Sequence, residues 1–364
     1  MKAAVLTAIN TPLQILDVQQ EGPKHGEVRV KVKATGVCMS DWHLMNGDWP
    51  TKLPLVPGHE AAGIIEDVGP GVVKVKKGDH IIFSFAAHCG HCTYCSKGRS
   101  VLCIGHRAAP AGGMYDGTTR LKYNGEAVYQ MTRIGTFSEF VVCSEENVVP
   151  IRKDMPWAQA ALVGCSVATG FGAVARHAKV EPGSNVLVIG CGGVGLNIVQ
   201  AAKLAGARNI IAADLLDNKL EFAKSFGATH TINAKTENVA KQVKAITGLG
   251  VDYAFDAIGS QITATQIIDA IAPGGHAVLV GIPAVTVSAP FSPFMMVFQE
   301  KKLTGSFYGS VQPNLDFPIL CDLYMDKKLN LDALISRTYK LDEINEGFTQ
   351  LKAGSGARGV VMFD

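Results

Sequence analysis

Residues 186–199 read VLVIGCGGVGLNIV, and the fold turns on them. Four apolar residues of a strand run into Gly190, Gly192 and Gly195, spaced G-x-G-x-x-G with Gly193 between, and an amphipathic helical pattern follows at once. The next apolar run, NIIAADLL, places Asp214 nineteen residues beyond Gly195. Strand, glycine turn, helix and distant carboxylate in that order form the dinucleotide-binding pattern. The glycines allow a tight turn and a close backbone approach to a pyrophosphate. The helix N-terminus adds N–H donors and the positive end of its dipole. Asp214 would accept hydrogen bonds from the adenosine ribose. A carboxylate there repels a 2′-phosphate, and DLLDNK puts no Arg just after it, so NAD is favoured over NADP. The alternative is a glycine turn in a parallel sheet that binds no nucleotide.

Working outward, the character of the chain changes near residue 165. Beyond it, apolar strands alternate with helix-length segments: NVLVIG, GVGLNIVQAAKLAG, NIIAADLL, NKLEFAKSFG, then VDYAFDAIG, ITATQIIDAIAPGG and HAVLVGI. Continuous apolar strands, each followed by a helix, predict a doubly wound parallel sheet. The N-terminal third reads instead as short β segments between Gly and Pro turns: AAVLTA, EVRVKVKATGV, AAGIIEDVG, DHIIFSF and FSEFVVCS. After about residue 307 the alternation weakens, and GARGVVMF reads as a last strand. The chain then returns to its first domain. The expectation is a β-rich domain of residues 1–165 and 308–364 with an inserted α/β domain of residues 166–307, two domains being natural for 364 residues.

A net charge of +2 without a basic block argues against a nucleic-acid partner. MKAAVLTAIN is no signal peptide and no membrane-length apolar run is evident, so a cytoplasmic protein without a membrane partner is expected. Nine cysteines, an odd number, suit metal or reactive thiols better than a disulfide framework.

Four of them, Cys89, Cys92, Cys95 and Cys103, lie in CGHCTYCSKGRSVLC at intervals of three, three and eight. Thiolates so spaced can converge on one Zn²⁺, and four close its shell, making the metal structural. An iron–sulfur cluster, a disulfide pair, or one of His88, His91 and His106 in place of a Cys are the alternatives. A second polar group, Cys38, Ser40, Asp41 and His43, falls in GVCMSDWHLMNGDWP (36–50). It reads equally as nucleophile with base, part of a metal site, or a polar loop. His59 in VPGHEAAG and Cys165 in LVGCSVATGFG are further candidates, which spacing alone cannot tie together.

Taken together, GVCMSDWH, GHEAAGIIEDVGPGV, the four-Cys lobe, DGTTRL, GTFSEFVV, GCSVATGFGA, GCGGVG, DLLDNK and GARGVVMF resemble the zinc-dependent medium-chain alcohol dehydrogenases over essentially the whole chain. The segment between the Cys lobe and GTFSEF resembles the larger liver-type and glutathione-dependent formaldehyde dehydrogenase classes. The resemblance implies a GroES-like catalytic domain with an inserted Rossmann domain, and two zinc ions per chain. Cys38, His59 and Cys165 would hold the catalytic one and the four-Cys set the structural one. Asp41 would orient His59, and Glu60 would lie close behind the metal. Alcohol oxidation to aldehyde or ketone by NAD is implied, with Ser40 accepting the proton and passing it through the nicotinamide ribose to His43. Val194 and Thr169 match residues against the nicotinamide, Arg358 a pyrophosphate contact, and Lys219 a lysine near the adenosine ribose. Trp49, Phe85 and Met131 match the substrate cleft, whose apolar walls favour an aromatic or medium-chain alcohol. Arg107 matches an anion-binding arginine of the formaldehyde dehydrogenases, which makes a thiol-adduct substrate the alternative. Met39 departs from the Arg or His of many relatives and predicts weaker cofactor binding. A homodimer is expected, with a tetramer as the other outcome.

Overall fold

The computed structural model describes residues 1–108 and 112–364. The chain forms two compact units, Met1–Cys165 with Gln312–Asp364, and Ser166–Val311.

The first unit is organised by strand Glu27–Val37. Its alternating sequence puts Val28, Val30, Val32 and Ala34 into the core, each fully buried, as a period of two demands. At eleven residues the strand is long enough to take two partners on one edge: Phe140–Ser144 pairs with residues 27–31 and Arg358–Met362 with residues 34–37. Ala61–Val68 lies along the other edge, followed by His80–Phe83 and Val148–Pro150. The C-terminal strand thus completes the first unit's sheet, with Ile335–Tyr339 parallel to it at the rim. The DGTTRL stretch is anchored from inside: Arg120, 1% exposed, donates to both oxygens of Glu27 and to Asp116 at 2.8 Å.

In the second unit six parallel strands run His230–Asn233, Asn209–Asp214, Asn185–Ile189, Val251–Asp256, Ile271–Leu279, Lys302–Gly305. Chain order reverses between Asn185–Ile189 and Val251–Asp256, and the crevice at their carboxyl ends is where such sheets take ligands. Val186, Leu187 and Val188 are all fully buried, as expected for a strand covered on both faces. Strand His230–Asn233 and helix Val239–Thr247 lie outside the sequence reading, the strand because HTIN is short and polar.

Two expectations need correction. The second unit ends at Val311, not 307, because the turn Phe307–Ser310 is backbone-packed on helix Ala168–Gly172. A Cβ on Gly309 would meet the Thr169 carbonyl at 2.6 Å. And one helical run, Trp157–Ala178, is long and apolar enough to cross a membrane, with mean hydropathy 1.5, although 78% of it is buried in the protein. Small residues such as Gly164, Ser166 and Gly170 hide it from an eye seeking a continuous apolar run.

Candidate active site

The glycine turn has a different reason at each position. Gly190 has φ 95°, and a Cβ there would meet Ile258 at 2.5 Å. A Cβ on Gly195 would overlap the Gly190 carbonyl oxygen, so this residue lets the turn close on the helix. Gly192, N-cap of helix Gly193–Leu204, has nothing within 4 Å of its missing Cβ, leaving an open backbone face at the helix start. Asp214 ends its strand beside the turn. Its Oδ2 accepts the Cys191 N–H at 2.8 Å and its Oδ1 the Leu216 N–H at 3.1 Å. Each oxygen keeps acceptor capacity for a hydroxyl. Val194 is half-buried, while Thr169 and Lys219 are each 8% exposed.

In the first unit, strand Glu27–Val37 delivers Cys38 to the N-cap of helix Met39–Met45. Asp41 sits at the third helical position and its Oδ2 accepts the Cys38 N–H at 3.1 Å. Its Oδ1 accepts the Gly58 N–H at 3.0 Å and lies 3.1 Å from His59 Nδ1. One buried carboxylate therefore fixes the start of the helix, the glycine turn and the imidazole ring. With Nδ1 committed to Asp41, Nε2 is the nitrogen left to bind. Cys165 comes from a π-wound turn, Val163–Val167, a local widening often found at functional sites. The donor atoms of Cys38, His59 and Cys165 all lie within 4.8 Å of one another, and all three residues are buried.

The charges at this cluster are set by its own buried groups. A hydrogen bond from Cys165, aided by Arg358, holds the Cys38 thiol well below its usual range against the cost of burial. The same contact and burial push Cys165 well up. Burial opposes charge on His59, but Asp41 and Cys38 outweigh it and raise the imidazole. Two sulfurs and one ring nitrogen suit zinc, and three protein donors leave a fourth position open.

The four-Cys lobe is a second convergence, again within 4.8 Å. All four thiols are free. Cys92 Sγ lies 3.5 Å from Cys95 Sγ and 4.0 Å from Cys103 Sγ. A tetrahedron with metal–sulfur bonds of about 2.3 Å has edges near ~3.8 Å, so the donor set fits zinc. Backbone N–H groups of Cys95 and Ile104 lower the Cys92 thiol to about 6.

Family models match both parts of the chain. Residues 24–153 fit the alcohol dehydrogenase GroES-like domain and residues 193–324 the zinc-binding dehydrogenase domain. The NDMA-dependent alcohol dehydrogenase of Amycolatopsis methanolica is 40% identical, over 99% of this chain and 98% of its own. The chain belongs to the zinc-dependent medium-chain alcohol dehydrogenases. This dehydrogenase is also 38% identical to the S-(hydroxymethyl)glutathione dehydrogenase of Paracoccus denitrificans, over 100% of this chain and 99% of that one. The benzyl alcohol dehydrogenase of Acinetobacter calcoaceticus superposes with a TM-score of 0.94 at 33% identity, covering 100% of this chain and 99% of its own. The protein is an oxidoreductase of the alcohol dehydrogenase type, with a GroES-like β-rich domain and an inserted Rossmann domain.

Around the thiol–imidazole cluster, the dehydrogenase places Glu60 fully buried, with Arg358 Nε 3.8 Å from its carboxylate. Arg358, read from sequence as a pyrophosphate contact, is itself only 5% exposed and faces Glu60 and the thiols. Phe85 meets the His59 ring edge-on at 5.4 Å. Trp49 and Met131 share a small apolar cluster with Leu44 and Leu55. Ser40 is half-buried on helix Met39–Met45, three residues before His43 and so on the same side. Met39 is 40% exposed at the first helical position, and Arg107 is exposed on helix Ile104–Ala108. Asp48, 2.7 Å from His43 Nδ1, was missed; its signal was a Gly-Asp pair closing a helix that carries a histidine.

Proposed function

We propose that this dehydrogenase oxidises a primary or secondary alcohol to an aldehyde or ketone with NAD, at a zinc ion held by Cys38, His59 and Cys165. The observation that carries the reading is the buried convergence of these donors with His59 Nδ1 already tied to Asp41. Zinc would supply Lewis acidity at the alcohol oxygen, and NAD a hydride acceptor. Asp41 orients His59, and the two thiolates temper the metal's charge. Ser40 accepts the hydroxyl proton, and His43 hands it to solvent. Glu60 and Arg358 balance charge behind the cluster, Arg358 being also the candidate pyrophosphate contact. In the second unit, Gly190, Gly192, Gly193 and Gly195 cradle the pyrophosphate and Asp214 takes the ribose hydroxyls. Lys219 serves the adenosine ribose, and Val194 and Thr169 back the nicotinamide. Cys89, Cys92, Cys95 and Cys103 hold the second zinc.

Trp49, Phe85 and Met131 make an aromatic or medium-chain alcohol the favoured substrate, as the name of the benzyl alcohol relative supports. A second reading, oxidation of a thiol–formaldehyde adduct, is favoured by Arg107 and by relatives named S-(hydroxymethyl)glutathione dehydrogenases. The free cysteines suit a reducing cytoplasm. A homodimer would cover the exposed Phe291, Phe294, Val297 and Phe298 of the second unit, with a tetramer as the competing outcome. Initial rates over benzylic, aliphatic and hydroxymethyl-thiol substrates test the reading, with NAD alone and with NDMA, the acceptor in one relative's name. Benzylic or medium-chain alcohols are expected to lead. A lead of orders of magnitude for thiol adducts would replace the first reading by the second, and no alcohol-dependent turnover would end both.

A further inference from the structure

His43 is gripped by the end of its own helix. Helix Met39–Met45 closes in a Schellman turn. Gly47, at φ 81°, donates its N–H to the Leu44 carbonyl at 3.2 Å, and Asp48 donates to the His43 carbonyl at 2.9 Å. This pair of main-chain bonds folds the second residue beyond the cap back over the third residue from the helix end. In most such turns the contact made there is apolar. Here it is a carboxylate on an imidazole: Asp48 Oδ2 lies 2.7 Å from His43 Nδ1. The other carboxylate oxygen accepts from Asn46 Nδ2 at 3.2 Å, so the acid is itself steered. On the next residue, the Trp49 indole stacks on the His43 ring at 5.0 Å and 24°. The His43 and Asp48 side chains are 20% and 27% exposed, sheltered enough for the contact to last and open enough for a proton to leave.

We propose that Asp48 is a positioning residue for proton release. It holds His43 in the tautomer that carries its hydrogen on Nδ1, so Nε2 presents the lone pair. The inference rests on the reading of His43 as the end of the proton path. An ionised carboxylate only accepts, so the ring nitrogen facing it is the one bearing the hydrogen. The proton from the alcohol hydroxyl arrives at Nε2 and makes an imidazolium, whose charge the Asp48 carboxylate stabilises. Water then takes the Nε2 proton and the neutral ring returns. Asp48 keeps its charge throughout, and no proton passes to it. The same division of labour, an acid that orients and a ring that carries, serves base catalysis elsewhere. The backbone turn does not need the carboxylate, because both of its hydrogen bonds are main-chain and Gly47 supplies the left-handed residue. Substitutions at Asp48 therefore leave the helix end folded.

The test compares Asp48→Leu, Asp48→Glu and His43→Ala as metal-loaded enzyme with saturating NAD, in low and high HEPES at constant pH and ionic strength. Asp48→Leu is expected to lower kcat on the order of tenfold, with Tm and, when NAD is varied separately, KM for NAD near wild type. Added HEPES, acting as an external base, restores most of that loss, and Asp48→Glu regains most of it without added base. Two results overturn the inference: Asp48→Leu turning over like wild type while His43→Ala is impaired, or a loss in Asp48→Leu that external base leaves untouched. A His43→Ala enzyme with wild-type kcat removes the proton-path reading beneath it.

Discussion

Two sulfur clusters sit in one unit and are built from opposite materials. The lobe takes four donors from fifteen consecutive residues, 89–103, three of them half-exposed, with backbone N–H groups of the same loop turned on the sulfurs. The other takes three donors from positions 38, 59 and 165, all buried, and relies on a strand end, a glycine turn and a π-wound turn to bring them together. Cys92 lies in a loop with little apolar content around it, whereas Cys38 follows a strand whose inward side chains are fully buried. The comparison teaches a difference in dependence. On the proposed reading the lobe would depend on its metal for shape, while the buried site is held by protein packing and would leave a bound zinc one open coordination position.

That contrast can be broken by substitution. Cys165→Ser is expected to cost several kcal/mol of metal assistance, on the order of a thousandfold in turnover, with zinc per chain falling from two to one and Tm little changed. Cys95→Ser should also halve the zinc but lower Tm markedly. Metal analysis beside thermal melts reads both, and equal Tm losses would erase the distinction. Asp41→Asn separates the clusters further. Losing the charge that orients His59 should weaken zinc at the buried site by roughly 10–100-fold and leave the lobe alone, as competition with a graded chelator would reveal. Smaller effects belong to the cofactor. Asp214→Ala should weaken NAD about tenfold by removing a charged acceptor, and improve NADP relative to NAD; fluorescence titration with each cofactor checks it. Smallest is Met39→Arg. At this exposed helix start a new phosphate contact should tighten NADH roughly threefold, by slower release in stopped flow. Unchanged affinity would show that the departure at Met39 has no energetic consequence.

Where the sequence was legible, the interactions were local. The glycine turn, its helix and Asp214 are fixed by backbone shape within thirty residues, and the four cysteines by loop spacing. The set Cys38, His59 and Cys165 was not readable from spacing, because the strand pairing that joins residues 27–37 to 61–68 is a long-range fact. Only likeness to a family brought them together. Arg358 was assigned to the pyrophosphate by family likeness alone; the pairing of its neighbour Gly359 with Val37, a long-range contact that spacing does not reveal, sets Arg358 beside Glu60 as well. Asp48 could have been found: a histidine three residues from a helix end, then Gly and Asp, folds acid onto ring.

The pairing of Glu60 with Arg358 has a consequence for how the enzyme is loaded. With a divalent ion in place, Arg358 would offset Glu60, and the ion would face the two thiolates and the Asp41 carboxylate behind His59, one negative charge in excess. A thiol binds zinc only after losing its hydrogen, so uptake of the ion by Cys38 and Cys165 would release protons, and acid would oppose it.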